Sequence, residues 1–194
     1  MSRFVSGCLA AALLAWFAAP ALAQDGPKEG DKAPVFEAKD DQGNVWKSSD
    51  HVGKKYVVVF FYPAAMTGGC TKQACGFRDA ADELKKLNVE VVGVSGDEVA
   101  GLALFKKAES LNFPLLSDPK GEIAKKFGVP TRPGGSIQRE VDGQVHTLTR
   151  GVSAARWTFV IDLDGNIIRR NTKVDAPKDS QEVVSLIKSL SKKS

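Results

Sequence analysis

The stretch Tyr56-Val57-Val58-Val59-Phe60-Phe61-Tyr62 runs without a break into Pro63-Ala64-Ala65-Met66-Thr67-Gly68-Gly69-Cys70-Thr71-Lys72-Gln73-Ala74-Cys75-Gly76-Phe77-Arg78-Asp79. The first seven residues are all β-branched or aromatic and have no polar face. That pattern predicts a strand buried on both sides. From Lys72 to Leu87 the apolar residues Ala74, Phe77, Ala81 and Leu84 recur at helical spacing. The chain is thus expected to leave a buried strand, cross a short loop and enter an amphipathic helix, with Cys70 in or beside the first turn.

Working outward, the same alternation continues. Val89 to Val94 reads as a second buried strand, Glu98 to Ser110 as a helix, Phe113 to Leu116 as a short strand and Glu122 to Phe127 as a short helix. Upstream, Asp40-Asp41-Gln42-Gly43-Asn44 followed by Val45-Trp46 predicts an opening hairpin. Downstream, Val141-Asp142-Gly143-Gln144 marks a tight turn between two polar strands. A second hairpin combines Trp157 to Ile161, the turn Asp164-Gly165 and Ile167-Ile168. Ser180 to Leu190 closes as a helix with Val183, Val184, Ile187 and Leu190 toward the core. Strands alternating with helices predict an α/β protein with a mixed central sheet and helices on both faces. This is the element order of a thioredoxin-like fold.

Composition agrees with one globular domain. The chain has 194 residues, 43% hydrophobic and 26% charged, which excludes a disordered or fibrous protein. Its 27 basic and 23 acidic residues give +4, and the paired lysines are scattered beside acids and apolar residues. Nothing concentrates charge into a stripe for nucleic acid, and none is expected as a partner. Arg3 precedes a charge-free stretch from Phe4 to Ala23 that ends in Ala21-Leu22-Ala23. A basic start, an apolar middle and a small-x-small end predict a signal peptide over residues 1–23, cut after Ala23. A retained anchor is the alternative, since about 20 apolar residues span a bilayer. Cleavage implies export, to a periplasm or its equivalent, without stable membrane association. It also removes Cys8, so a domain over residues 24–194 keeps only Cys70 and Cys75.

A sulfur at a helix N-terminus faces unpaired backbone N–H groups and the positive end of the helix dipole, which favour thiolate over thiol. Thr67 offers a hydroxyl three residues upstream, and Gly68-Gly69 lets the backbone approach closely. Pro63 stiffens the loop entrance. In an exported protein, Cys70 and Cys75 are equally compatible with a structural disulfide or a buried core pair, and spacing leaves these alternatives open.

The full string resembles the peroxiredoxin family. Pro63-x-x-x-Thr67-x-x-Cys70 is similar to that family's active-site pattern, and Thr71-Lys72-Gln73-Ala74-Cys75-Gly76-Phe77-Arg78-Asp79 resembles the Q-type, bacterioferritin-comigratory-protein branch. The likeness extends to Gly30 to Phe36, Val94-Ser95-Gly96-Asp97, Phe113 to Asp118 and Arg156 to Asp162. It implies a thiol-dependent peroxidase acting on a peroxide substrate, with electrons from a thioredoxin-like dithiol reductant and no cofactor or metal. Cys70 takes the place of the peroxidatic cysteine and Cys75 that of the resolving cysteine. Thr67 is expected to hydrogen-bond sulfur and peroxide, Pro63 to screen the sulfur from solvent, and Arg156 to complete the pocket. A monomer is expected.

Several positions depart from the family pattern. Ala64-Ala65-Met66 replaces residues that are often charged, Gly68-Gly69 stands where a Pro-Gly pair is common, and Gln73 stands where glutamate is frequent. The segment 131–150 looks like an inserted hairpin without a chemical motif. A thiol–disulfide oxidoreductase of this fold would carry Cys-x-x-Cys, and a copper-delivery protein would carry Cys-x-x-x-Cys with a downstream histidine. This chain has four residues between its cysteines, and His51 and His146 are isolated. These readings, and that of a non-catalytic partner-binding domain, are therefore weaker.

Overall fold

A computed structural model describes residues 26–191; the expected signal peptide and Cys8 lie outside the described residues. The chain forms β1 (Glu37–Asp40), β2 (Val45–Lys47), β3 (Tyr56–Phe61), α1 (Gly68–Asp79), α2 (Ala81–Lys86), β4 (Val89–Ser95) and α3 (Val99–Glu109). It continues through β5 (Leu115–Ser117), α4 (Glu122–Lys126), β6 (Thr131–Val141), β7 (Gln144–Ala154), β8 (Trp157–Ile161), β9 (Ile167–Asn171) and α5 (Asp179–Ser191).

Seven strands make one mixed sheet in the order β2-β1-β5-β4-β3-β8-β9. β3, β4 and β5 run parallel at its centre, while β1 and β8 add antiparallel neighbours on either side. The uninterrupted apolar run explains why β3 is central, because Val57 to Phe61 are each fully buried. Alternate residues feed opposite faces. Val58 and Phe60 pack with Phe77, Leu84, Leu102, Phe105, Val183 and Ile187 from α1, α2, α3 and α5. Val57, Val59 and Phe61 pack on the other face with Phe36, Trp46, Ile123, Phe127 and Phe159. Burying each such side chain contributes about 1.5–3 kcal/mol, and the stacked Phe60 and Phe77 rings, with centroids 4.9 Å apart, tie the second half of α1 to β3.

The single helix expected over residues 72–87 is two helices. Apolar periodicity cannot reveal the break: Ala80 sits at φ −86°, ψ 2°, while its N–H still reaches the Gly76 carbonyl and its own carbonyl still accepts from Leu84. The apolar spacing therefore continues across the bend. α1 also starts earlier than Lys72, at Gly68, with Thr67 as an extended N-cap residue. The strand expected at Phe113 is displaced to Leu115, beyond Pro114, which has no N–H to donate to a ladder.

The polar hairpin is real and longer than 131–150. β6 and β7 form a two-stranded sheet of their own, around a turn with Asp142 at φ 53° and Gly143 at φ 75°, as a primed two-residue turn requires. Its base is fastened to the sheet. Leu148 is buried in the core, Glu98 N–H donates to the Thr149 carbonyl at 3.0 Å and Gly151 N–H to the Gly96 carbonyl at 3.0 Å. Arg150 Nε donates to the fully buried Asp97 Oδ1 at 3.1 Å. The other oxygen of Asp97 accepts Ala65 N–H at 2.8 Å and Ser95 Oγ at 3.0 Å. Asp97 thus joins the hairpin to the loop before α1.

Replacing Arg150 with Met is expected to lower unfolding free energy by about 3 kcal/mol, because it leaves the Asp97 carboxylate buried without its cation. Urea denaturation checks this, and a change below about 0.5 kcal/mol, the scale of an ordinary surface substitution, would contradict it.

Candidate active site

Cys70 is the third residue of α1 and only 2% exposed. The loop that delivers it leaves β3 through the half-buried Pro63 and reaches Met66 in a left-handed conformation, φ 56°. Two long-range contacts hold this loop: Asp97 accepts Ala65 N–H, and Arg139 Nε of β6 donates to the Met66 carbonyl at 2.8 Å. Thr67 differs from expectation. Its Oγ1 donates to the Ala64 carbonyl at 2.9 Å rather than pairing with the sulfur. A hydroxyl so placed closes the loop on itself and keeps its lone pairs free to accept from an incoming group.

Arg156 lies between β7 and β8 and approaches Cys70 across the N-terminus of α1. Its Nη2 is 3.2 Å from Cys70 Sγ and its Nη1 donates to Gln73 Oε1 at 2.5 Å. Gly69 makes room for it, because a Cβ there would stand 3.3 Å from Nη2. The glycine of the expected Pro-Gly pair thus has a steric reason at the pocket, whereas a Cβ at Gly68, where proline is common, would meet nothing within 4 Å.

Behind the guanidinium is a buried network that sequence reading missed. Gln73 is fully buried, and its Nε2 donates to Asp179 Oδ2 at 2.7 Å. Thr158 Oγ1 donates to the same oxygen at 2.7 Å. Burial pushes the Asp179 carboxyl above the usual carboxylate range, opposed by those two hydrogen bonds. Gln73 suits this position because one amide both accepts from Arg156 and donates to Asp179; a carboxylate could do only the first. The i, i+3 spacing of Cys70 and Gln73 placed both on one helical face, but nothing local marked Thr158 or Asp179.

Cys75 lies later on α1, half-buried, and both thiols are free. Its Sγ donates to Glu109 Oε2 of α3 at 3.6 Å. The structure therefore brings Cys70, Thr67 and Arg156 to one end of α1, with Pro63 at the loop entrance and Cys75 on a separate contact. The histidines are elsewhere: His51 stacks on Trp46, with ring centroids 4.7 Å apart, and His146 lies on β7 beside α3. Among the described residues no cluster of three His, Cys, Asp or Glu side chains is placed to hold a metal ion.

A buried sulfur under a braced guanidinium, at a helix start and beside an unoccupied hydroxyl acceptor, is a site for attack by sulfur on a small polar molecule. The AhpC/TSA family model matches residues 29–170. A putative peroxiredoxin of Mycobacterium tuberculosis is 42% identical over 147 residues, covering 76% of this chain and 86% of that protein. Peroxiredoxin Bcp of Escherichia coli K12 is 43% identical over 140 residues, covering 72% and 82%. Chloroplastic peroxiredoxin Q of Populus jackii is 37% identical over 163 residues, covering 84% and 68%. Among solved structures, peroxidoxin BcpB from Mycobacterium tuberculosis superposes with a TM-score of 0.70 at 33% identity, covering 84% of this chain and 98% of that one. Peroxiredoxin Q of Xanthomonas campestris shares the fold, with a TM-score of 0.65 at 23% identity over 79% and 90%. The chain belongs to the AhpC/TSA family, within its Bcp and Q-type branch, and is a peroxiredoxin oxidoreductase.

Proposed function

We propose that this peroxiredoxin reduces hydrogen peroxide and small organic hydroperoxides through a Cys70–Cys75 disulfide, in an exported compartment. The observation that carries the chemistry is the Arg156 Nη2–Cys70 Sγ distance of 3.2 Å. The Cys70 thiolate attacks the nearer peroxide oxygen, the O–O bond breaks, and the departing oxygen takes a proton and leaves as water or alcohol. Sulfur is oxidised by two electrons to sulfenic acid. Arg156 stands where negative charge grows on the leaving oxygen, and the Gln73–Asp179–Thr158 network fixes it there before reaction begins. Thr67 orients the peroxide, and Pro63 limits water at the sulfur.

Cys75 then attacks the sulfenic sulfur. The S–S bond forms, the S–O bond breaks and water leaves. A thioredoxin-like dithiol returns the disulfide to two thiols and is itself oxidised. Peroxide reduction and disulfide formation use the residues of one chain, and the external dithiol completes the cycle without a cofactor or metal. Export rests on the Phe4 to Ala23 stretch and its Ala21-Leu22-Ala23 end; among the described residues no helix is long and apolar enough to cross a membrane.

The second step requires movement. Both cysteines lie on α1, five positions apart. At about 1.5 Å rise and 100° per residue, their Cα atoms are roughly 8.6 Å apart. Disulfides rarely exceed about 7 Å, so α1 must partly unwind. The bridge closes a short loop and gains little entropy, which makes it easily reduced. Gly76, where a Cβ would stand 3.0 Å from Ser180 Oγ, lets α1 lie close against α5 until it opens.

Cys70→Ser is expected to abolish peroxide consumption with a dithiol donor, and normal turnover in that variant would sink the assignment. Arg156→Ala should slow sulfur oxidation about 10²-fold, read by stopped-flow fluorescence. Hydrogen exchange should show residues 70–78 losing protection on oxidation while Val57 to Phe61 keep theirs. Equal protection of α1 in both redox forms rules out the unwinding.

A further inference from the structure

Two cysteines share one helix, yet the proposed scheme needs only one of them to meet peroxide. Their surroundings differ in charge. Cys70 faces the Arg156 guanidinium, whereas Cys75 faces a carboxylate, with Glu109 Oε2 3.6 Å from its sulfur. A carboxylate can accept only from a protonated thiol, and its charge opposes the formation of a second anion beside it.

The same corner also stitches the second half of α1 to the end of α3. Arg78 Nη1 donates to the Glu109 carbonyl at 2.6 Å, and Asn112 Nδ2 donates to the Arg78 carbonyl at 3.2 Å. With the Cys75–Glu109 contact, these bonds hold the segment that unwinding must release. The geometry points to Glu109 as a specificity-determining residue that holds Cys75 as a quiet thiol against α3, so that peroxide meets Cys70 first and Cys75 reacts only once α1 opens.

This inference rests on the resolving role proposed above for Cys75. The charged groups acting on the Cys75 thiol are Arg78 and Asp79 of α1 and Glu109 of α3. Burial pushes the thiol up; Arg78 opposes that, while Glu109 adds to it by charge and by accepting the hydrogen bond, and Asp79 adds further. Arg78 is itself engaged, because its Nε donates to Asp79 Oδ1 at 2.8 Å. Opening of α1 takes Cys75 away from both burial and Glu109, and the thiol then ionises more readily. Its thiolate attacks the Cys70 sulfenic sulfur, forming S–S and breaking S–O. The departing hydroxide combines with the proton that Cys75 released, and water leaves. The Cys75 sulfur is oxidised and the sulfenic sulfur reduced.

The test compares the full chain carrying Cys70→Ser with the same chain carrying Cys70→Ser and Glu109→Gln. Iodoacetamide labelling of Cys75 is followed by mass spectrometry from pH 6 to pH 9, with circular dichroism to verify folding. Because only the thiolate is alkylated, Glu109→Gln is expected to speed labelling at least about threefold at neutral pH and to displace the rate profile to lower pH. Unchanged or slower labelling, or a rate raised equally at every pH, overturns the inference. With Cys70 intact, Glu109→Gln should form the Cys70–Cys75 disulfide faster after one equivalent of peroxide. If labelling responds as expected but no Cys70–Cys75 disulfide forms with either residue at 109, the hold on Cys75 stands and the resolving role falls.

Discussion

Arg156 reaches Cys70 only because three elements remote in sequence are locked behind it. Its guanidinium carries a charge that must be satisfied on the protein side while one N–H stays directed at sulfur. Gln73 accepts from it, Asp179 accepts from Gln73, and Thr158 donates to the same Asp179 oxygen. α1, β8 and α5 are thereby fixed around one cation. A mobile arginine would have to be ordered during each reaction, whereas a braced one is already oriented, and electrostatic stabilisation depends on that prior orientation.

A second buried acid does the corresponding work for the loop. Asp97 receives Ala65 N–H and Arg150 Nε on its two oxygens, so the base of the β6–β7 hairpin and the approach to Cys70 share one support. Arg139 adds a contact from the same hairpin to the Met66 carbonyl. The hairpin, which carries no chemical motif, thus helps shape a loop whose Met66 is held at positive φ.

The helix between these supports answers to opposing demands. Its first turn presents Cys70 to Arg156, and its packing through Phe77 onto Phe60 and through Gly76 onto Ser180 keeps it regular. That regularity is incompatible with a Cys70–Cys75 bond. On the outer face of its second half, away from Phe77, the contacts are polar and partly exposed: a thiol on a carboxylate, a guanidinium on a carbonyl and an amide on a carbonyl. Exchanging such contacts with water costs far less than extracting Phe77 from the aromatic core, so the opening proposed for α1 needs no disruption of β3.

The central strand, both flanking hairpins and the helix carrying Cys70 were legible in the sequence because each is written in local periodicity or turn chemistry. The continuous run Val57 to Phe61 demanded burial on two faces, and Asp142-Gly143 demanded a tight turn. The break at Ala80 was not legible, since the apolar spacing continues through it, and neither was the separate pairing of the hairpin, because polar alternation does not name a partner. The family pattern brought Cys70, Cys75, Thr67, Pro63 and Arg156 into view as candidates. It gave no sign that Thr67 would turn to Ala64 or that Cys75 would meet Glu109. Sequence by itself determined which segments are strands and helices and where a sulfur meets a helix start. Tertiary structure alone decided which charges face the two sulfurs. Glu109 lies 34 positions from Cys75 and Arg156 lies 86 from Cys70, and side chains so distant along the chain are brought together by sheet order and packing, which no local pattern encodes.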